Sequence, residues 1–97
     1  MPPAPRQIGG LPVLWFTPID ARHRAIGACR HVGPQGQLGP ASGLAICGRP
    51  GEPVYLFGCD EGWLSVTDTW HGSVEEAMRQ AEAEYEGVSA TWRRHGD

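Results

Sequence analysis

The sequence predicts a small α+β domain, an antiparallel sheet of four to five strands with one C-terminal helix packed on one face. Three observations carry that prediction. Short apolar runs in the first two thirds of the chain are separated by glycine- and proline-rich turns, the pattern of strands. Ser73 followed by Glu76 is a capping box, and the residues after it repeat their apolar character at helical spacing. A chain of 97 residues holds a single hydrophobic core, so helix and strands must share it.

The elements follow in order. Residues 1–10 contain Pro2, Pro3 and Pro5 and few apolar side chains, and are expected to be a flexible leader. Residues 11–17 are almost continuously apolar (Leu-Pro-Val-Leu-Trp-Phe-Thr), which suits a strand covered on both faces; Pro12 puts it at a sheet edge or a strand start. A weaker strand candidate of small residues spans 24–31, and 33–43 is a Gly/Pro-rich loop. Residues 43–47 and 54–59 flank Gly48-Arg49-Pro50-Gly51-Glu52-Pro53, a hairpin connection. Asp60-Glu61-Gly62 then leads into a strand at 63–69. A three-residue loop ending in glycine fits a type I turn with a bulge, whose last residue has positive φ.

The helix opens at Ser73, with Glu75 and Glu76 placed where the helix dipole favours negative charge. Val74, Ala77, Met78, Ala81 and Tyr85 form one apolar stripe, and Glu75 stands four residues before Arg79 as a favourable ion pair. Gly87 fits the position after a helix end, with Val88 placed for the hydrophobic contact of a Schellman stop. Trp92 is expected to fold back onto the body, and 93–97 to be a loose tail.

One helix covers one sheet face. By strand alternation Leu56, Leu64 and Val66 point to the helix, while Tyr55, Phe57 and Trp63 point away with Cys59, Ser65 and Thr67. This aromatic face must be closed by the N-terminal segment and the 33–43 loop, or by a second copy, or by a partner for which aromatics serve as anchors. A register slip of one residue at the 60–62 turn would exchange the faces of one strand. Thr67-Asp68-Thr69-Trp70-His71 is the densest polar and aromatic cluster. It either ties the strand to the helix, or makes Asp68, Trp70 and His71 a pocket rim.

Composition excludes several classes. With 40% hydrophobic residues the chain is not wholly disordered, and no apolar run approaches the about 18 residues of a membrane span. The N-terminus lacks the charged start and apolar stretch of a signal peptide, and three cysteines cannot all pair within one chain; together these point to reduced thiols in the cytoplasm. The net charge of −3 disfavours nucleic acid, and Arg22, Arg24 and Arg30 on one strand face are a weak signal against that total. The charge is polarised, however. Residues 1–50 carry five arginines against one aspartate, net +4, and residues 51–97 carry ten acids against three arginines, net −7.

Chemistry is harder to find. Cys29, His31, Cys47 and Cys59 offer the residue types of a zinc site, but without the close ligand pairs such sites use; buried free cysteines are the simpler reading, and no metal or cofactor is expected. No phosphate-binding glycine motif and no nucleophile elbow occurs. The sequence therefore assigns no catalytic residue. An enzyme would have to be a small thiol-dependent or acid–base catalyst with its site near Cys59, Asp68 and His71.

Tyr55-Leu56-Phe57-Gly58-Cys59-Asp60, Thr67-Asp68-Thr69-Trp70-His71, Glu75-Glu76-Ala77 and Glu84-Tyr85-Glu86-Gly87-Val88-Ser89, through Trp92, together resemble a family of small bacterial proteins without an established activity. The resemblance covers the C-terminal third to half of the chain. It implies a compact helix-on-sheet unit and supplies no catalytic residues. The expectation is a non-catalytic protein-interaction module, immunity- or antitoxin-like or associating with its own copy. Its binding surface would be the aromatic face (Tyr55, Phe57, Trp63) or the acidic helix (Glu75, Glu82, Glu86), and a basic protein its target.

Overall fold

The computed structural model describes residues 2–26, 40–95 and, as backbone, 32–33 and 36–37. Its strands are β1 (Gln7–Ile8), β2 (Leu11–Pro18), β3 (Arg24–Ala25), β4 (Val32–Gly33), β5 (Gly36–Gln37), β6 (Gly43–Gly48), β7 (Val54–Cys59) and β8 (Ser65–His71). The helix α1 (Val74–Glu84) follows, then β9 (Tyr85–Glu86), a 3-10 turn (Val88–Ala90) and β10 (Arg93–Arg94). The main sheet runs β1-β2-β6-β7-β8, antiparallel throughout, and β10 adds to β2. This is the expected α+β arrangement, with the helix on one face.

Strand β6 is buried along its whole length because both faces of the sheet are covered. Leu44 and Ile46 join Leu56, Ala77, Ala81, Tyr85 and Val88 in the core under the helix. Ala45 and Cys47 point the other way, into a second core with Val13, Phe16, Phe57, Cys59 and Trp63. A bulge at Leu14 in β2 sends both Leu14 and Trp15 to the helix side, so the continuous apolar run of this strand serves both cores.

The second core is closed by the first residues of the chain. Residues 2–10, expected as a flexible leader, are placed against the sheet: Ala4 and Ile8 are buried, and the Trp63 indole N–H donates to Pro2 O at 2.8 Å. The β1–β2 turn lies so close over Phe57 that a Cβ at Gly9 would come within 3.2 Å of its ring. Of the expected loose tail, residues 93–95 are likewise placed against the sheet, and 96–97 lie outside the described residues. Arg93 and Arg94 pair with Phe16 and Trp15, and the His95 backbone N–H donates to Leu14 O. Thus β2 has β6 along one edge and β1 and β10 along the other. Both local sequences are too short of apolar residues to announce this; their order comes from backbone pairing with β2.

The turn after β7 departs from expectation in a way that matters. The Asp60 side chain accepts from the amides of Gly62 (2.9 Å) and Leu64 (3.0 Å), and its backbone N–H donates to Leu64 O. The positive-φ residue is Trp63, at 63°, one place later than the glycine expected. Trp63 therefore lies in the turn, its ring is buried edge-on to Phe16, and the next strand begins at Ser65. A further irregularity lies between Gly58 and Cys59, so that Gly58 pairs with Thr67 and Leu56 with Thr69. A Cβ at Gly58 would collide with Thr67 Oγ1, because the Thr67 side chain lies over the glycine. As a result Thr67, not Leu64 or Val66, shares the helix-side face with Leu56. Leu64 and Val66, assigned to the core by alternation, are exposed.

The helix starts as expected: Ser73 Oγ accepts from the Glu76 amide at 3.2 Å. The Glu76 carboxylate reaches back one residue further than a standard capping box, to the Gly72 amide at 2.9 Å. At the other end Tyr85 is already extended, so α1 passes directly into β9 and not into a Schellman turn. Gly87 does have the expected positive φ, 101°, but spends it opening the 3-10 turn, against Arg22 O. Val88 and Trp92 pack in the helix-side core.

Candidate functional site

The pairing of β7 with β8 sets Tyr55 opposite Trp70 and Phe57 opposite Asp68. Directly opposed residues in an antiparallel pair share a face with Cβ atoms about 5 Å apart. These four side chains thus form one compact patch, and they line an open groove of 560 Å³. The Tyr55 and Phe57 rings stack at 5.9 Å with their planes 9° apart and make its floor. Gly9 and Leu11 of the β1–β2 turn bound it on one side; Arg49 and Glu52 of the β6–β7 connection bound its end. The Arg49 guanidinium donates to Gly10 O at 3.4 Å, which leans it toward the N-terminal wall. The remaining side opens at β8.

Strand β8 is the outer strand of the sheet on this side, and among the described residues only β7 pairs with it. Apolar side chains lie along it in the open, Val66 at 53% and Trp70 at 61% exposed, and Leu64 in the turn just before it is 70% exposed. The Asp68 carboxylate is exposed and has no hydrogen bond or ion pair among the described residues. Large apolar groups in water along an unpaired strand mark a contact surface more often than chance.

The structure sorts the expected site residues. Phe57 (7% exposed) and Trp63 (4%) are buried under the N-terminal segment, so neither presents a free anchor. Tyr55 is half-buried at the groove floor. Asp68 and Trp70 stand together at the groove's open side, as the rim reading requires. His71 is opposite Val54 and hydrogen-bonds to Thr69 Oγ1 at 2.8 Å, on the helix side of the sheet and away from the groove. The glutamates divide as well. Glu82 accepts from the Gly87 amide, the Ser89 amide and the Ser89 hydroxyl at 2.7–3.0 Å, which holds its carboxyl below the ordinary range. Its charge is thereby spent on the turn after the helix. Glu86 is exposed and pairs in register with Arg24, and Glu75 borders a second open groove beside Leu14, Trp15 and Met78. That second groove adjoins β10, a strand of only two residues, and not an edge as long as β8.

Residues of the proposed thiol site do not meet. Cys59 pairs with Ser65 at one end of β7, and His71 with Val54 at the other. At about 3.4 Å per residue this separates them by roughly 16 Å, on opposite faces. Burial pushes the Cys47 and Cys59 thiols up to about 12, so neither is a thiolate near neutral pH. Cys29, Arg30 and His31 lie outside the described residues. Among the described residues no three His, Cys, Asp or Glu side chains come together as a metal site would need. No described helix is long and apolar enough to cross a membrane.

Sequence reasoning flagged Tyr55, Asp68 and Trp70 but put them on two different surfaces. It missed Arg49 and Glu52, which looked like turn residues. The signal was there: the β6–β7 connection must sit at the Tyr55 and Trp70 end of its hairpin. Comparison of the chain with family models, with curated proteins and with solved structures finds no match.

Proposed function

We propose that this chain is a non-catalytic protein-binding module that holds another protein against the groove at Tyr55 and Trp70 and along the edge of β8. The observation that carries this reading is the exposure of Val66 and Trp70 on a strand whose outer side has no partner among the described residues, with Leu64 exposed in the turn just before it. A protein partner would bury all three and complete the backbone pairing at once. A thiol-dependent or acid–base enzyme fits less well, because His71 faces away from Cys59 and Asp68 and the thiols are deeply buried. The acidic helix is the weaker docking surface, since Glu82 and Glu76 are occupied by backbone amides of their own chain.

A photo-crosslinking amino acid at position 70, compared with one at Arg79 on the exposed helix face, tests the reading in cells that produce the protein. Adducts with another protein formed from position 70 and not from 79 are expected. Equal or absent crosslinking at 70 refutes it.

A further inference from the structure

The groove reading can be taken one step further, to the chemistry of the partner, and the step rests on that reading. We infer that the occupant of β8 is an extended, basic segment of another protein, added to the sheet as a further strand with an arginine or lysine side chain beside Asp68.

Strand β8 spans seven residues, Ser65–His71, and lies at the margin of the main sheet with only β7 beside it among the described residues. Such an edge offers a row of N–H and C=O groups that an extended segment satisfies. The opposite margin is not equivalent, because β1 and β10 already lie along β2.

Charge then selects the segment. Asp68 stands at the middle of β8, exposed and without an ion pair among the described residues, next but one to the exposed indole of Trp70. A residue of an added strand placed opposite Asp68 would have its Cβ about 5 Å away on the same face. A cationic side chain there meets the carboxylate directly and has the indole of Trp70 as its diagonal neighbour, and an aromatic ring attracts a cation. Glu52 at the end of the groove adds a second negative charge, and residues 51–97 as a whole carry −7. Arg49, the one cation lining the groove among the described residues, leans to Gly10 O at the N-terminal wall.

The same carboxylate argues against a second copy of this chain as occupant. Antiparallel pairing of two β8 strands about their midpoint sets Asp68 against Asp68, and like charges directly opposed destabilise a sheet. Asp68 thus guards an otherwise sticky edge against its own kind and reads a basic partner.

Three synthetic peptides as long as β8 test this by calorimetric titration against the full chain: one alternating arginine with valine, one with glutamate for arginine, and the arginine peptide with alternate backbone amides N-methylated. The arginine peptide is expected to bind, the glutamate peptide about tenfold or more weakly, and the methylated peptide not measurably. Asp68→Asn should weaken the arginine peptide about two- to fivefold and leave the thermal unfolding of the exposed site unchanged. Equal binding of arginine and glutamate peptides, or full binding of the methylated one, overturns the inference. If Trp70→Ala still abolishes that binding, the groove reading survives it. Light scattering that finds a stable dimer dissociated by Asp68→Arg overturns the inference in favour of a second copy. If no peptide binds and position 70 gives no crosslink, both fall together.

Discussion

Trp63 offers the sharpest test of how the hairpin is built, because its ring and its backbone make opposite demands on a substitution. The ring is buried, packs edge-on to Phe16 at 5.8 Å and donates to Pro2 O at 2.8 Å. Truncating such a side chain to alanine costs about 3–5 kcal/mol. Of this the aromatic contact accounts for about 0.5–1.5 kcal/mol and the hydrogen bond for a similar amount. The backbone φ of 63° is a left-handed conformation that disfavours any residue with a Cβ by about 1–2 kcal/mol. Trp63→Gly loses the same ring but relieves this strain, and repays part of the relief as about 0.5–1 kcal/mol of extra chain entropy. The net difference is about 0.5–1 kcal/mol in favour of glycine over alanine. With a urea m-value of about 1–2 kcal/mol/M, the Trp63→Gly midpoint should lie roughly 0.5 M above that of Trp63→Ala. Far-ultraviolet circular dichroism follows both unfolding curves. In an ordinary strand position the order reverses, so a glycine variant less stable than the alanine variant would refute the turn geometry and with it the register of β8.

Three further outcomes follow from particular contacts. Gly87→Ala combines positive φ with a Cβ 2.8 Å from Arg22 O, whereas Gly51→Ala has positive φ and open space; thermal melts should show the first losing about 5–10 °C more than the second. Cys47 and Cys59 should resist alkylation at pH 8 in the folded chain and react in denaturant, read by mass mapping of each peptide; rapid labelling of either would contradict their burial. Glu82 has its carboxyl lowered below the ordinary value of 4.5, so its contribution to stability is present above that pH and fades as pH falls through the lower folded value. Glu82→Gln should therefore be the less stable protein at pH 7, with the gap closing below pH 4.5, and a gap constant with pH would contradict the role of the charge.

What the sequence disclosed was whatever local chemistry decides. The Ser73 cap, the stripe from Val74 to Tyr85 and the positive φ of Gly87 each depend on neighbours a few residues away, and each was legible. The placement of residues 2–10 was not, because Ala4 and Ile8 are two isolated apolar side chains whose burial depends on Phe57 and Trp63 far along the chain. The faces of β8 turned on a single residue. Gly62 is the natural bearer of positive φ, yet Asp60 gathers the amides on both sides of Trp63 and the indole gains a buried seat, so the tryptophan takes the strained position. That shift by one, with the irregularity at Gly58, moved Thr67 to the helix side and set Asp68 and Trp70 beside Phe57 and Tyr55. The site's residues were individually visible; their assembly depended on a register that alternation alone does not fix.

Amide hydrogen exchange in the isolated chain measures directly whether the outer side of β8, which has no partner among the described residues, is open to a partner's backbone. Two classes of amide are expected within β8, alternating along the strand: those facing β7 exchange slowly, like the rest of the sheet, and those facing outward exchange at rates near those of an unstructured chain. Addition of the arginine peptide should slow the outward class alone. Uniform slow exchange along β8 in the free, monomeric chain would show the edge to be already covered and would contradict the account.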